Sequence, residues 1–358
     1  MNDLLFDSLE IRQFRAFDFL RIEQLGHVNL FLGKNNVGKS TLLEALYLHA
    51  NVGSPLVMRT ILDNRDEARS LDYTDFEVLA VWNLFHNYPS TGNTRDSIQI
   101  GRSGAPDSAL IISSTWDDLD DDDNDEEKLI PTFLVKHGTF RRSLKLNEPF
   151  DEAFYLWSFP QLKNDSQVAI EIPCVFITPN GISGDSLYNL WEKIALTDAK
   201  RDVIEALRII DSNIEDFAII SPKEKPSFCQ LRLRNYSEPI PSKVLGDGIN
   251  RLIGLSMALA CSMDGILLVD EIENGIHWSV LPDVWKFIVK VAKRLNVQVF
   301  ATTHSNDCLR AFHFGTKGTP EVRGVAIRLE KREDKEFHAE IFDEQRLAVI
   351  IKEGIEIR

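Results

Sequence analysis

At 358 residues, with 44% hydrophobic content, the chain can form two ordinary domains or one large one with a sizeable core. Its net charge of −15 argues against a generally basic nucleic-acid-binding surface, though a local basic patch or a groove made by two subunits stays open. No stretch approaches the ~18 uninterrupted apolar residues of a membrane span, residues 1–7 lack the basic segment of a signal peptide, and Cys174, Cys229, Cys261 and Cys308 lie far apart without metal spacing, so a reducing cytoplasmic setting is expected.

The chain opens on period-two alternation. Ser8–Phe14 reads as a strand, Arg15-Ala16-Phe17 as a turn, and Phe19–Leu25 as a second strand ended by Gly26. A third apolar strand, Val28–Leu32, runs into Gly33-Lys34-Asn35-Asn36-Val37-Gly38-Lys39-Ser40-Thr41, and Leu42–Leu46 reads as an amphipathic helix. Strand, glycine loop and helix are the context that a phosphate-binding loop requires. Gly33 and Gly38 let the backbone approach an anion closely. The free N–H groups of the loop and helix start can cradle the α- and β-phosphates of ATP. Lys39 is placed to reach the β- and γ-oxygens and Ser40 to ligate Mg²⁺.

Residues 42–70 are expected to be helical, with a break at Gly53-Ser54-Pro55, and 75–87 carries Phe76, Trp82 and Phe85. From 96 to 172 the pattern turns strand-like, over Ser97–Ile100, Ala109–Ile112, Thr132–Val135 and Gln167–Ile170. Between two of these strands lies an acidic run, 117–127, in which only Leu119 and Asn124 are uncharged; it reads as a solvated loop.

Cys174–Ile177 is a buried strand ending at Thr178-Pro179-Asn180-Gly181. Asp185-Ser186 can cap a helix presenting Leu187, Leu190, Trp191 and Ile194, and a second helix spans about Lys200–Ile210. Strands follow between Ile214 and Leu233. Leu245–Arg251, with Gly246 and Gly248, reads as a glycine turn opening a helix over Leu252–Cys261. Gly265–Val269 is a fully buried strand that delivers Asp270 and Glu271 to its C-terminal end. After a turn at Glu273–His277 a helix runs from about Ser279 to Leu295, and Val297–Ser305 is a further buried strand with a Thr-Thr-His-Ser tip. The tail from Gly324 reads as two or three strands and a final helix with strand.

These pieces converge on nucleoside triphosphate hydrolysis. Asp270 suits the second Mg²⁺-holding carboxylate and Glu271 the general base that polarises the attacking water. A metal beside one of two adjacent carboxylates leaves the other free for proton transfer. His304, one crossover helix further on, is placed to contact the γ-phosphate or the water. The candidate catalytic groups are therefore Glu271, His304 and Lys39.

Asp270 follows Lys39 by 231 residues, with a glycine turn and helix just before it. This arrangement resembles the ABC-type ATPase superfamily in its RecF/SMC/OLD-like branch, and within it the bacterial "AAA family ATPase / ATP-binding protein" group. Gly33–Thr41 looks like its Walker A, Leu245–Arg251 its signature, Gly265–Glu271 its Walker B, Glu273–His277 its D-loop and Ala301–Ser305 its switch-histidine strand. The resemblance extends to Leu9–Phe17, Val175–Pro179, Leu187–Leu196 and the tail Ile355-Glu356-Ile357-Arg358, and is weakest over 90–165. The sequence departs from transporters in placing Gly246 at the signature serine and Asp247 at a common glycine, and no Q-loop glutamine stands out beyond the candidates Gln161 and Gln167.

The resemblance implies an α/β P-loop head with a mixed central sheet, an N-terminal antiparallel β subdomain and a strand-rich insert. One head would comprise an N-terminal lobe (1–75), the insert (76–172), a connecting region (173–235) and a C-terminal lobe (236–358). It also implies a homodimer with ATP at the interface, where Gly246 and Gly248 at a helix start meet the partner's γ-phosphate. No sustained heptad suggests coiled-coil arms. Only 54 residues follow His304, too few for a nuclease domain, so a nuclease-like effector would be a separate protein. Regulation of such a partner or action on DNA, in bacterial anti-phage defence, is the expected setting. The alternatives are an ATP-dependent assembly module with little turnover and, from a different class, a transporter ATPase subunit.

Overall fold

The computed structural model describes residues 4–67, 80–87, 97–118, 129–145, 171–182, 184–223, 225–317, 319, 321–332 and 336–353. The strand expected at 167–170, Gln161 and Gln167, Phe76, residues 119–127 of the acidic run and the tail 355–358 lie outside them.

Alternation along the first residues produces a hairpin, β1 (Leu9–Phe14) against β2 (Phe17–Ile22). Strands from the region between 98 and 145 join this hairpin. β4 (Ile98–Gly101) pairs antiparallel with β1 and is followed by β5 (Leu110–Asp118), β6 (Leu129–His137) and β7 (Phe140–Lys145), in the order β2-β1-β4-β5-β6-β7. Asp117 and Asp118, the first two residues of the acidic run, belong to β5, so the run does not begin as a loop.

The second sheet holds the chemistry. β3 (Val28–Leu32) lies between β13 (Gln298–Thr302) and β14 (Gly324–Lys331); β12 (Ile266–Val269) follows β13, and β8 (Cys174–Ile177) forms the edge. These five strands are parallel, and β15 (Phe337–Phe342) runs antiparallel to β14, which makes the sheet mixed. The inner strands β3, β12 and β13 are buried along their whole length because both faces are covered, and they are apolar apart from Asn29, Gln298 and Thr302. On one face Leu30, Leu267, Val269, Val299 and Ala301 enter a core with the helices; on the other, Phe31, Ile266, Leu268 and Phe300 pack toward the antiparallel sheet. Successive side chains of a strand point to opposite faces, so one sheet seeds both cores.

Eight helices are named among the described residues: α1 (Lys39–Ala50), α2 (Pro55–Asp63), α3 (Gly184–Ile194), α4 (Ala199–Leu207), α5 (Asp247–Cys261), α6 (Leu281–Leu295), α7 (Asn306–Thr316) and α8 (Glu344–Glu353). A three-stranded sheet of β9 (Ile214–Ile220), β10 (Phe228–Leu233) and β11 (Ile240–Pro241) completes the fold.

Three sequence readings shift. α5 begins at Asp247 rather than Leu252, so Gly248 is part of a helix and not of the turn before it. An acidic residue in the first turn complements the exposed amides there, which favours the earlier start. α3 begins at Gly184, one residue ahead of the expected Asp185-Ser186 cap. α7, capped by the Ser305 hydroxyl on the Cys308 amide at 3.2 Å, was not expected, because its polar start reads as the tip of a strand. No helix among the described residues is long and apolar enough to cross a membrane.

Candidate functional site

The C-terminal ends of β3, β12, β13 and β8 share one edge of the parallel sheet, the edge where crevices form in open α/β folds. A cleft of about 550 Å³ opens there, lined on different sides by Lys39, Ser40 and Thr41, by Asp270, Glu271 and His304, and by Thr178 and Asn180. The expected loop, carboxylate and histidine residues are thus brought together from segments more than 230 residues apart in the chain.

Gly38 caps α1 with φ 88°, a left-handed conformation that costs glycine little. A Cβ at this position would stand 2.5 Å from Cζ of Phe17, so the hairpin packs directly on the loop. Leu42 is the first α1 residue whose amide returns to Gly38 O, at 2.9 Å, leaving the amides before it for an anion. Lys39 is buried and donates from Nζ to the Gly33 and Lys34 carbonyls at 2.7 and 2.9 Å. Burial lowers its pKa, while the charges of Asp270, Glu271 and Glu273 oppose that shift.

Lys39 also reaches Nδ1 of His304 at 3.2 Å, and Nε2 of the same ring stands 2.8 Å from Oε1 of Glu271. An ammonium can only donate, so Nδ1 accepts and the ring is the Nε2–H tautomer that donates to the carboxylate. Asn274 Nδ2 donates to the other oxygen of Glu271 at 2.6 Å. Burial pushes the Glu271 pKa up, but the hydrogen bonds from Asn274 and His304 and the charge of Lys39 outweigh it, and the carboxyl ends below its ordinary range.

Asp270, almost fully buried, accepts the Thr302 hydroxyl at 2.5 Å, and that oxygen in turn accepts the Glu271 amide at 2.8 Å. Arg251, reaching across from α5, donates to the carbonyls of Asp270, Glu271 and Thr178 at 2.9, 3.0 and 2.9 Å. These bonds surround Glu271, whose φ of 47° is left-handed in a residue with a Cβ. Such a conformation costs on the order of 1–3 kcal/mol and persists where neighbouring bonds fix it. It allows consecutive carboxylates to serve separate partners, Asp270 facing Thr302 and Glu271 facing His304 and Asn274.

Among the described residues no group of three or more His, Cys, Asp or Glu side chains can hold a metal ion. The donor set of Ser40 and Asp270, a hydroxyl and one carboxylate, suits Mg²⁺, which keeps several waters and takes its remaining oxygens from phosphates. Gly246 does not line this cleft: it caps α5 with φ 93° and ψ 177°, is exposed, and has open space around a Cβ position. A Cβ at Gly248 would stand 2.9 Å from the carbonyl oxygen of Gly275, so the start of α5 packs closely on the loop after Glu271.

Thr302, Asn274, Arg251 and Glu273, whose Oε1 accepts the His304 amide at 2.9 Å, escaped singling out from the sequence. Thr302 and Asn274 sit inside motifs recognised there, and polar residues within an otherwise apolar strand or beside a carboxylate pair are the signal that points to them.

A family profile described as "AAA domain, putative AbiEii toxin, Type IV TA system" matches residues 28–309. An "ATP/GTP phosphatase" of Helicobacter pylori is 22% identical over 332 residues, covering 85% of this chain and 86% of that protein. An uncharacterised protein of Methanocaldococcus jannaschii is 37% identical over 59 residues, 16% of this chain and 27% of its own length. Among solved structures, an SMC head bound to the C-terminal winged-helix domain of ScpA matches with a TM-score of 0.51 and 11% identity, over 95% of this chain and 98% of that one. The fold is accordingly that of a P-loop ATPase head.

Proposed function

The chain belongs to this AAA-domain family, and from that premise we propose that it is an ATPase of the SMC/RecF-like branch that binds ATP with Mg²⁺ in the cleft and hydrolyses it. The single observation that carries the reading is the chain Lys39–His304–Glu271, which ties the phosphate loop to the carboxylate strand through one imidazole. Lys39 neutralises the β- and γ-oxygens, and Glu271 takes the proton of the attacking water. His304 holds the Glu271 carboxylate and stands beside the terminal phosphate. Ser40 and Asp270 would hold Mg²⁺, which would supply positive charge to offset the negative charge developing on the β- and γ-phosphates. The activity of the H. pylori relative, named a phosphatase of ATP and GTP, supports the reaction class.

The finer reading is an ATP-gated homodimer in which the start of α5 meets the partner's nucleotide. In favour of it, Gly246 and Asp247 are exposed, Val244 just before them is 63% exposed, and neither Gly246 nor Asp247 lines the chain's own cleft. Nucleotide state would then regulate a separate effector, in keeping with the toxin-system description of the family; the net charge gives no support to DNA as the ligand. An assembly module with little turnover is the weaker reading, because the general-base pair Glu271–His304 is in place.

Light scattering of Glu271→Gln with and without Mg-ATP, beside a phosphate-release assay on the wild type, tests both levels. Hydrolysis by the wild type and an ATP-dependent monomer-to-dimer shift of the variant are expected. Phosphate release that survives Glu271→Gln intact would remove the general-base assignment, and one unchanging species with ATP bound would remove the gated dimer.

A further inference from the structure

Resting on the nucleotide reading above, we propose that Arg65 is a nucleotide-contacting residue whose guanidinium binds the α-phosphate, freed from Glu44 by an exchange of partners with Arg15. Along α1, Lys39 turns toward His304 and Glu271, whereas Thr41 and Glu44, three residues apart and so on one face of the helix, turn toward Arg65. Both groups line the same cleft. The terminal phosphates belong with Lys39. The α-phosphate then falls beside the later part of the helix start, where Thr41 lies.

Arg65 already stands there. Its Nη2 donates to Thr41 Oγ1 at 3.1 Å and to Glu44 Oε2 at 3.0 Å, and Nε donates to Glu44 Oε1 at 2.7 Å. Its side chain is 35% exposed, in contrast to the 6% of Glu44. Planar guanidinium is well matched to two phosphate oxygens.

Turning Arg65 toward a phosphate would strand a buried carboxylate unless a second cation stood by, and breaking such a pair is strongly destabilising. Arg15 is that cation. Its guanidinium bonds Glu67 at 2.8 and 3.0 Å, and its Nε lies 3.2 Å from Glu44 Oε2. Yet Nε is buried and has no hydrogen-bond partner: it is near enough for ion pairing but off the line for a hydrogen bond. A buried donor left unmade costs free energy. When Arg65 leaves, Arg15 Nε–H can complete Glu44, and the network of two arginines and two glutamates keeps its charge balance. Burial pushes the Glu44 pKa up while Arg15 and Arg65 hold it down, so the carboxylate depends on retaining one of them.

The test is calorimetric titration of the full-length wild type, R65A and R65K with Mg-ATP and with each diastereomer of ATP carrying sulfur on the α-phosphate. R65A should bind Mg-ATP about 10–100-fold more weakly. The wild type should bind one thio-diastereomer several-fold more weakly than ATP, with that discrimination lost in R65A and reduced in R65K. R65A should melt near the wild type, because Arg15 still covers Glu44. Unchanged affinity for ATP in R65A would overturn the proposal. So would weaker binding with the diastereomer ratio preserved, the mark of a residue that only props α1. A wild type that fails to bind Mg-ATP would instead overturn the nucleotide reading, and this inference with it.

Discussion

Nε2 of His304 stands 2.8 Å from Oε1 of Glu271, and the partner on the far side of the ring fixes which of the two donates. The imidazole hands its proton to the carboxylate's hydrogen bond and keeps its other nitrogen for Lys39. Glu271 is therefore oriented by two donors, His304 on one oxygen and Asn274 on the other, before any substrate arrives.

The acid side of hydrolysis should report this arrangement. Glu271 is held below its ordinary range, so it remains ionised as pH falls toward the usual glutamate value of ~4.3. A depressed carboxyl also contributes stability above its unfolded pKa, lost as pH falls through the folded one. Asn274→Ala removes one of the donors that lower it, and the acid limb of kcat should move to higher pH. Replacing Glu271 by Gln should lower kcat by roughly 10²–10⁴-fold with ATP binding retained. Profiles of kcat against pH at saturating Mg-ATP check both; a limb that does not move in Asn274→Ala would deny its influence on Glu271.

Thr302 stabilises two residues through one oxygen. Thr302→Val keeps the shape of the strand and removes the donor to Asp270 and the acceptor for the Glu271 amide. A buried acceptor and donor left unpaired cost about 1–3 kcal/mol each. We expect a lower denaturation midpoint and a weaker dependence of hydrolysis on Mg²⁺. Equal Mg²⁺ half-saturation in variant and wild type would show that Thr302 does not orient Asp270.

His49 should govern stability in mild acid. It is buried at the C-terminal end of α1, packed edge-on to Phe6 and His137, and burial, with the nearby His137, lowers its pKa to about 3. A lowered histidine is neutral when folded but takes up a proton when unfolded below ~6.5. Folding stability therefore falls as pH drops from ~6.5 toward 3, by about 1.4 kcal/mol per pH unit. Urea unfolding at pH 7.5 and 5.5 should show this loss in the wild type and less of it in His49→Leu. The same slope in both proteins would assign the acid sensitivity to other groups.

Gly248→Ala probes how closely the start of α5 and the loop after Glu271 must approach. The added Cβ would meet the Gly275 carbonyl at 2.9 Å, closer than ordinary contact. One of the two segments must shift, at a cost of roughly 1–3 kcal/mol. Thermal melting should register the destabilisation. An unchanged melting temperature would show that the contact yields freely.

The strands that end at the cleft were legible in the sequence because each couples a mostly apolar run to a polar tip: Val28–Leu32 to the glycine loop, Gly265–Val269 to Asp270-Glu271, Val297–Ala301 to His304. Burial on both faces of a parallel sheet writes itself as a mostly hydrophobic run, broken here only by Asn29 and Gln298, and the polar groups of the cleft sit where that run ends. Arg251 and Arg65 were not legible. Their partners are backbone carbonyls and a carboxylate brought near only by the fold, and an arginine in a helix or after one reads as a solvated side chain. The start of α5 was misjudged because Gly246 and Gly248 look alike in sequence. One carries a left-handed cap and the other a close packing contact, a difference that depends on Gly275 being opposite.

The position of β3 bears on how the protein is made. The strand that precedes the phosphate loop is synthesised long before both of its neighbours, β13 and β14, which come from beyond residue 297. Until they arrive its two edges lack partners, and unpaired edges of a long-range sheet are prone to intermolecular pairing during synthesis. The high sequence separation of these contacts also slows the search for the native pairing. A translation product cut short before β14 would carry the whole loop sequence on a strand with one edge unpaired, and nucleotide binding is expected only once β14 has been made.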